Sequence, residues 1–259
     1  MEITFNPNTY KYTVNHNGKS VETTVTEKSD VADQWVDKYR KNKGKATVVG
    51  IASKFKSDKA LTLQLYMDEK CLILQLFSLD SFPNSLRNFL RDPMFIFAGC
   101  EVEKLNCYFW NKYCFRASKT LDIVEAARMR WPRKSFNAKD LKVLVSQVLD
   151  MHIDLPQHVL LSNWEARMLC LEQVGCAYME AFASYCVGHK LLIDQWATKY
   201  CKNHGKDTVV GLASLNFDRP SYVLNSNWET TMLCLEQVEF ATMEAFASYC
   251  VGHKLLIGV

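Results

Sequence analysis

The sequence lacks long apolar segments and has little excess of charge of one sign. No hydrophobic run approaches the roughly 18 residues that a membrane-spanning helix needs, so no such helix is predicted. The first ten residues, MEITFNPNTY, have no basic segment followed by an apolar one, so we expect no secretory signal there. The formal net charge of +3 is too small to indicate a nucleic-acid partner by itself.

The usual metal-binding and redox spacings of cysteine and histidine are also missing. Ten cysteines are present, none of them as C-x-x-C, and the six histidines form no H-x-H or H-E-x-x-H arrangement. A zinc site is therefore not supported. Cys170, Cys186, Cys234 and Cys250 fall on apolar helical stretches, and we interpret them as reduced core residues. With 48% hydrophobic and 23% charged residues, the 259-residue chain has the composition of a globular protein with a packed core.

The first half of the chain carries strand patterns. An alternating segment from Tyr10 to Thr26, interrupted by an Asn/Gly turn, predicts a β-hairpin. The apolar run ATVVGIAS is typical of a buried strand, and Leu61–Tyr66 and Cys71–Phe77 predict an antiparallel pair in the same sheet. A last strand, MFIFAG, follows Pro93, which ends a short helix that Pro83 opens.

Helical patterns separate and follow these strands. Ser29 and Asp30 are suitable caps for a helix before the ATVVGIAS strand. Later helices are predicted over Val102–Tyr113, Leu121–Met129 and Ala138–Leu149, from near Trp164, and over one long stretch from Leu171 to Asn203. The order predicts an α/β layered domain with a mixed sheet of about five or six strands flanked by helices. Its predicted buried residues are Val48, Val49, Leu63, Leu65, Ile73, Leu74 and Phe97.

An internal repeat divides the chain. Asn163–Ile193 and Asn227–Ile257 differ at only five positions, and Asp33–Ser53 matches Asp194–Ser214. The second copy lacks everything that corresponds to Leu61–Leu149, so it has no complete sheet with which to bury a core. We therefore predict one domain over residues 1–193 and a truncated partial repeat of it over residues 194–259. A recent unequal duplication or a misassembled gene would also explain the second copy.

Several segments together resemble a known family. VVGIASKF, CLILQLF, FPNSLRNFLRDPMFIFAG, EVEKL and LSNWEARMLCLEQVGCAYMEAFASYCVG are similar, in this order, to the plant-type Werner-syndrome-like 3′–5′ exonucleases. Those enzymes belong to the DEDDy group and have a three-layer ribonuclease H-like fold. The resemblance implies that fold for roughly residues 8–193, and a chemistry of phosphodiester hydrolysis by two divalent ions held by carboxylates.

The positions that match the catalytic motifs are mostly substituted. The Asp-x-Glu of the first strand falls on Ala52 and Lys54, and the second-motif aspartate falls on Glu101, after a loop that is shorter than in the family. The last motif, Tyr-x-x-x-Asp, becomes Cys176 and Glu180, four residues apart on one helical face. The resemblance makes Glu101 and Glu180 the remnant of the metal site. Read without it, each is a solvated helix residue.

Other charged residues suggest alternatives. Lys54 is either a surface charge or, if it points into the former metal site, a partner for Glu101 or Glu180 that replaces the ions with a salt bridge. Arg130, Trp131, Arg133 and Lys134 form a basic run with a tryptophan that could grip phosphates and stack on bases, as could KNKGK at 41–45. Such runs are otherwise solvated faces.

Three functions remain open from the sequence. The first is a catalytically weak or inactive relative of the exonucleases that binds single-stranded DNA or RNA. The second is an active 3′–5′ exonuclease that uses Mg²⁺ or Mn²⁺ and recruits other carboxylates. The third is a non-catalytic protein that pairs with an intact paralogue, as a hetero- or homo-oligomer. We expect no membrane association and a location in the nucleus, the cytoplasm or both.

Overall fold

The structure is a computed structural model of the chain. It describes residues 1–204 except 8, 10, 17, 41–46 and 133–140, and for 39–40, 47 and 193–204 it describes the backbone alone. The chain divides into two compact units, Met1–His189 and Lys190–Val259. Within the second copy of the repeat, the sequence predicts a strand over TVVGLAS at 208–214, which matches the ATVVGIAS strand, and a terminal helix at 233–256, which matches the start of the long helix; both lie outside the described residues. The proposed domain boundary after residue 193 stays a prediction.

The described elements alternate between strands and helices in the way the sequence patterns indicate. The strands are β1 Glu2–Asn6, β2 Lys11–His16, β3 Lys19–Thr26, β4 Thr47–Lys56, β5 Lys59–Met67, β6 Lys70–Gln75, β7 Phe95–Gly99 and β8 Thr120–Asp122. The helices are α1 Ser29–Arg40, α2 Asn84–Leu90, α3 Val102–Tyr113, α4 Ile123–Arg130, α5 Leu141–Leu149, α6 Gln157–Leu160 and α7 Leu171–His204. Within the described part, no helix is long and apolar enough to cross a membrane.

The strands form one mixed sheet in the order β1-β2-β3-β6-β5-β4-β7-β8. β4, β5 and β6 pair antiparallel, whereas β7 and β8 add in parallel beside β4. The prediction of about five or six strands was too low, because the described residues form eight. The two strands that the sequence analysis missed are β1, in which only Ile3 and Phe5 alternate with polar residues and most positions are exposed, and β8, which has three residues.

Alternation along β4 divides the two faces of the sheet, because successive side chains of a strand point to opposite sides. Val49 and Ile51 face a core that α1, α2 and α3 cover. This core contains most of the seven residues predicted to be buried, and all seven are buried. Helices thus lie on both faces of the sheet, as predicted, since α7 covers the other face.

α7 lies directly against β4. A Cβ atom built on Gly50 would be 2.0 Å from the carbonyl oxygen of Ala181, and one on Gly188 would be 2.3 Å from the Cβ of Ala98. Glycine at these positions allows the helix backbone to approach the sheet to a distance that a side chain would prevent. The even-numbered side chains of β4 therefore face α7.

Two sequence predictions near α7 are wrong and one is confirmed. No helix starts near Trp164, because the Asn163 side chain accepts a hydrogen bond from the backbone N–H of Glu165 and holds a turn there instead. Cys170 is exposed rather than in the core, since it precedes the first residue of α7. The long helix predicted over Leu171–Asn203 is present as Leu171–His204. Cys234 and Cys250 lie outside the described residues.

Candidate functional site

The end of β4 directs two neighbouring side chains to opposite faces of the sheet. Ala52 pairs with Gln64 and Lys54 with Thr62 on β5, and the register shifts between Lys54 and Phe55. Such a bulge inserts a residue into one strand and re-aims the side chains beside it. Ala52 and Lys54 share the face toward α7, whereas Phe55 packs against the core on the α3 side.

α7 supplies the opposite wall of the site. Cys176 and Glu180 lie four residues apart, so they share one side of the helix. Cys176 is 3% exposed. The Glu180 side chain is only 16% exposed, so the interpretation of Glu180 as a solvated helix residue is wrong. A surface helix would have left it in water, but α7 lies against the sheet.

A buried ion pair joins the two elements. The Nζ atom of Lys54 donates to Oε1 of Glu180 at 2.5 Å, and the Lys54 side chain is 12% exposed. The same Nζ atom lies 4.9 Å from the centre of the Trp164 ring, which is a cation–π distance. Of the two partners left open for Lys54, Glu101 and Glu180, the structure shows Glu180.

The segment before α7 holds Trp164 in place. Gln173 donates to the hydroxyl of Ser162 and to the carbonyl of Asn163, and Gln75 donates to the carbonyl of Ala166. The Trp164 ring donates its own N–H to the carbonyl of Leu160. This residue was not singled out as functional from the sequence, although it is among the segments that carry the family resemblance.

The second oxygen of Glu180 has no hydrogen-bond partner among the described residues. Oε2 is buried and accepts no hydrogen bond from any atom in the described part of the chain. Burial raises the pKa of Glu180, and the positive charge and hydrogen bond of Lys54 only partly oppose this effect. The carboxylate is therefore held in a place where its charged form depends on one cation, the Lys54 ammonium.

The thiols beside this pair are not activated. Burial raises the pKa of Cys176 to about 11, with a further contribution from the charge of Glu180. Burial also raises the pKa of Cys100 to about 12, to which the charges of Asp122, Glu180 and Glu101 add. Because the thiolate is the nucleophilic form, neither cysteine is suited to nucleophilic catalysis near neutral pH.

Glu101 lies at the edge of the site. It is exposed and precedes α3 with a left-handed backbone, φ 52°. Its charge reaches the Cys100 thiol, as does that of Asp122, which caps α4 by accepting from the N–H groups of Val124 and Glu125. The structure thus brings Lys54, Cys176 and Glu180 together and leaves Glu101 at the periphery. The functional roles of Ala52, Lys54, Glu101, Cys176 and Glu180 stay predictions.

The predicted basic run lies only partly in the described chain. Arg130 ends α4 and is exposed, with its guanidinium 5.7 Å from the ring of Trp131. Arg133 and Lys134, and the KNKGK segment at 41–45, lie outside the described residues. A nucleic-acid role for Arg130 and Trp131 stays a prediction.

The donor set does not fit a pair of divalent ions. The Ala52 side chain has no ligand atom, and Lys54 places an ammonium against the Glu180 carboxylate. Among the described residues, no group of three or more His, Cys, Asp or Glu side chains is placed to hold a metal ion. Mg²⁺ and Mn²⁺ prefer several oxygen ligands. The geometry here supplies a cation from the chain itself.

The sheet order and the two helix layers define an α/β domain with the ribonuclease H-like exonuclease fold, which confirms the predicted fold class. RNase D of Escherichia coli, an exoribonuclease, superposes with a TM-score of 0.59 at 15% identity, over 69% of this chain and 46% of that one. The Nibbler EXO domain of Aedes aegypti gives a TM-score of 0.53 at 15% identity, over 65% of this chain and 86% of that one. At these identities the likeness shows the fold alone.

One similarity extends to the sequence. The mimivirus protein "Putative 3'-5' exonuclease R431", from Acanthamoeba polyphaga mimivirus, is 25% identical over 182 residues, which is 64% of this chain and 45% of that protein. No protein-family model matches. The chain spans less than half the length of the viral protein and of RNase D. Its relatives in sequence and in fold are thus 3′–5′ exonucleases and other nuclease domains.

Proposed function

We propose that the chain is an exonuclease-fold protein that binds single-stranded DNA or RNA and cleaves it weakly or not at all. The observation that carries the proposal is the Lys54–Glu180 ion pair. The fold and the similarity to the R431 protein support a nucleic-acid ligand. On the sequence motifs, we place the chain with the Werner-syndrome-like branch of these nucleases, as a member with degenerate catalytic motifs and a truncated C-terminal repeat.

The chemistry explains why this pair opposes catalysis. Two-metal hydrolysis needs carboxylates that gather two cations around the attacking and leaving oxygens. An ammonium on β4 repels those cations and neutralises Glu180, while Ala52 offers no oxygen. Cys176 cannot take the place of the tyrosine that orients water in the family, because its buried thiol is a weak hydrogen-bonding group.

An exonuclease assay tests the proposal. The purified full chain is incubated with a 3′-labelled single strand and Mg²⁺ or Mn²⁺, and shortening of the strand is followed. We expect binding without shortening. An Ala52→Asp/Lys54→Glu variant should recover activity only in part, because Cys176 is unchanged. Lys56→Glu is the matched control: it reverses the same charge two residues along β4, where the side chain is 65% exposed and pairs with Glu165.

Other outcomes select the alternatives. Robust shortening by the unaltered chain, abolished by a chelator, would establish an active Mg²⁺- or Mn²⁺-dependent exonuclease. Asp122 and Asp154 would then be the first carboxylates to test, because their charges reach Cys100 and Cys176. If the chain neither shortens the strand nor binds it in a salt-dependent way, the result would favour an interaction protein that pairs with a paralogue. We propose a location in the nucleus, the cytoplasm or both, which imaging of a fluorescent fusion tests.

A further inference from the structure

α3 and the end of β4 carry a surface of alternating aromatic rings and lysines. We call it the basic aromatic surface; it consists of Phe55, Lys104, Tyr108, Lys112 and Tyr113. Lys104, Tyr108 and Lys112 follow each other at intervals of four residues, so they lie along one side of α3. Phe55 follows directly after the register shift in β4, and the centre of its ring lies 6.4 Å from the centre of the Tyr108 ring.

Each cation on this surface lies over a ring. The Lys104 Nζ atom is 4.5 Å from the centre of the Phe55 ring. The Lys112 Nζ atom is 5.5 Å from the Tyr108 ring and 5.1 Å from the Tyr113 ring, and it donates to the Tyr108 hydroxyl at 3.0 Å. Both lysines are exposed, whereas Phe55, Tyr108 and Tyr113 are half-buried. The rings are thus held by the core while one side remains at the surface.

No carboxylate of the described residues pairs with the lysines on this surface. In the described part of the chain, neither Lys104 nor Lys112 forms a salt bridge. By contrast, Lys56 pairs with Glu165 and Lys11 with Glu22. Burial by itself lowers the pKa of Lys112, but hydrogen bonds to the hydroxyls of Tyr108 and Tyr113 outweigh burial and raise the pKa above its ordinary value. The ammonium is therefore charged at neutral pH. The surface therefore offers two uncompensated positive charges beside three aromatic rings.

We propose that the basic aromatic surface binds single-stranded nucleic acid, with Lys104 and Lys112 on phosphates and Phe55 and Tyr108 stacking on bases. Single strands are bound in this way without sequence preference, since a base has an aromatic face and each nucleotide has a phosphate. The inference rests on the proposed nucleic-acid function and names where the strand lies. It uses the opposite face of β4 from the Lys54–Glu180 pair.

Binding of fluorescently labelled single strands of DNA and RNA in the presence of a chelator tests the lysines. A Lys104→Gln/Lys112→Gln variant should make the salt dependence of binding shallower. The negative slope of log affinity against log salt should decrease in magnitude by about 1.4, because each phosphate contact on a single strand contributes about 0.7. Lys11→Gln/Lys19→Gln removes the same charge from the β2–β3 hairpin and should leave the slope unchanged. Lys19, Lys104 and Lys112 are exposed and the Lys11 side chain is 40% exposed, so both variants are expected to fold.

An abasic strand of the same length tests the rings. Phe55→Leu/Tyr108→Leu should weaken binding of the normal strand by about 25-fold or more, because losing one stacked base costs about fivefold or more and two rings are removed; binding of the abasic strand should be unchanged. Urea unfolding of this variant checks that it retains its fold; if it does not, the lysine pair alone decides.

Three results would overturn the inference. If the unaltered chain binds single strands but both surface variants bind as the control does, the strand lies elsewhere, while the proposed function stands. If the abasic strand binds as tightly as the normal one, the surface recognises polyanions and no stacking occurs. If the unaltered chain binds no strand even at low salt, the proposed function itself fails.

Discussion

At the scale of single residues, the ammonium of Lys54 determines the character of the candidate site. It contacts the Glu180 carboxylate and the Trp164 ring, and both charged side chains are largely shielded from water. Removing two charges from water costs several kcal/mol, which their attraction returns only while both are present. The pair is therefore tolerated as a unit, and either partner alone is strongly destabilising.

Replacing one partner should expose this cost. Lys54→Met should lower the free energy of unfolding by about 3–5 kcal/mol, because it leaves Glu180 buried without its cation. Lys54→Met/Glu180→Met should recover most of the loss, since apolar side chains of similar size replace both charges. Urea unfolding measures both. Lys56→Met is the control and should cost less than about 1 kcal/mol, because that pair is exposed. A similar small loss for Lys54→Met would mean that Glu180 is well solvated.

Histidine gives the fold a predictable acid sensitivity. Burial lowers the pKa of His189, which lies beside Tyr185 on α7. The unfolded chain then binds more protons than the folded one, so stability is lost as the pH falls below about 6.5 toward the lowered pKa. His189→Gln should flatten the pH dependence of the urea midpoint between about pH 7 and 5. If the pH dependence is unchanged, other groups cause the effect. His16, whose pKa is also lowered by burial, would then be the next residue to replace.

At the scale of elements, α7 is the part of the chain that the sequence contains almost twice. Three of the five differences between the copies fall where α7 contacts the sheet and β1. The second copy has Glu, Phe and Thr at the positions equivalent to Gly175, Cys176 and Tyr178. Tyr178 is 1% exposed and contacts the rings of Tyr66 and His16, so these differences concern the core.

The second copy's residues should therefore be poor substitutes in α7. Gly175→Glu/Cys176→Phe/Tyr178→Thr should reduce the free energy of unfolding by more than about 3 kcal/mol, because it combines a lost aromatic ring with overpacking. A Cβ on Gly175 would lie 2.7 Å from side-chain atoms of Met1 and Ile3. Ala166→Thr/Arg167→Thr introduces the other two differences before α7 and should cost little. Equal melting of the two variants would show that the packing of α7 does not discriminate between the copies.

At the scale of the whole molecule, the chain combines an exonuclease fold with a cation of its own, the side-chain ammonium of Lys54 on β4. The eight-stranded sheet places β4 against α7, and the even-numbered side chains of β4 point toward that helix. Lys54 is one of them, and it faces Glu180. In this arrangement Lys54 neutralises Glu180 without a bound ion. The stability of the fold should then be independent of divalent metals.

Thermal melting tests this independence. The unaltered chain should melt at the same temperature with Mg²⁺, with Mn²⁺ and with a chelator. Ala52→Asp/Lys54→Glu should be less stable without metal, because three carboxylates then face each other, and should gain about 2.7 kcal/mol when an ion is present at about a hundred times its dissociation constant. Metal-dependent melting of the unaltered chain, abolished by Glu180→Gln, would contradict the role assigned to Lys54.

Much of the fold could be predicted from local patterns. The apolar runs of β4 to β6, the prolines around α2 and the proline-free run of mostly good helix formers in α7 are short-range signals, and each predicted the element that is found. β1 and β8 were not predicted in this way, although Ile3 and Phe5 alternate with polar residues along β1. β1 is a mostly exposed edge strand, and β8 is too short to show a pattern, so both depend on the strand beside them.

The candidate site, like the fold, could be predicted from the sequence only in part. The sequence by itself determined that Ala52 and Lys54 share one face of a strand and that Cys176 and Glu180 share one face of a helix, because both follow from the periods of the backbone. Only the tertiary structure decided that Lys54 pairs with Glu180 rather than Glu101, and that the Trp164 ring lies against the Lys54 ammonium. Lys54 and Glu180 are 126 positions apart in the sequence, and their contact depends on where α7 crosses β4, which the close approach at Gly50 sets.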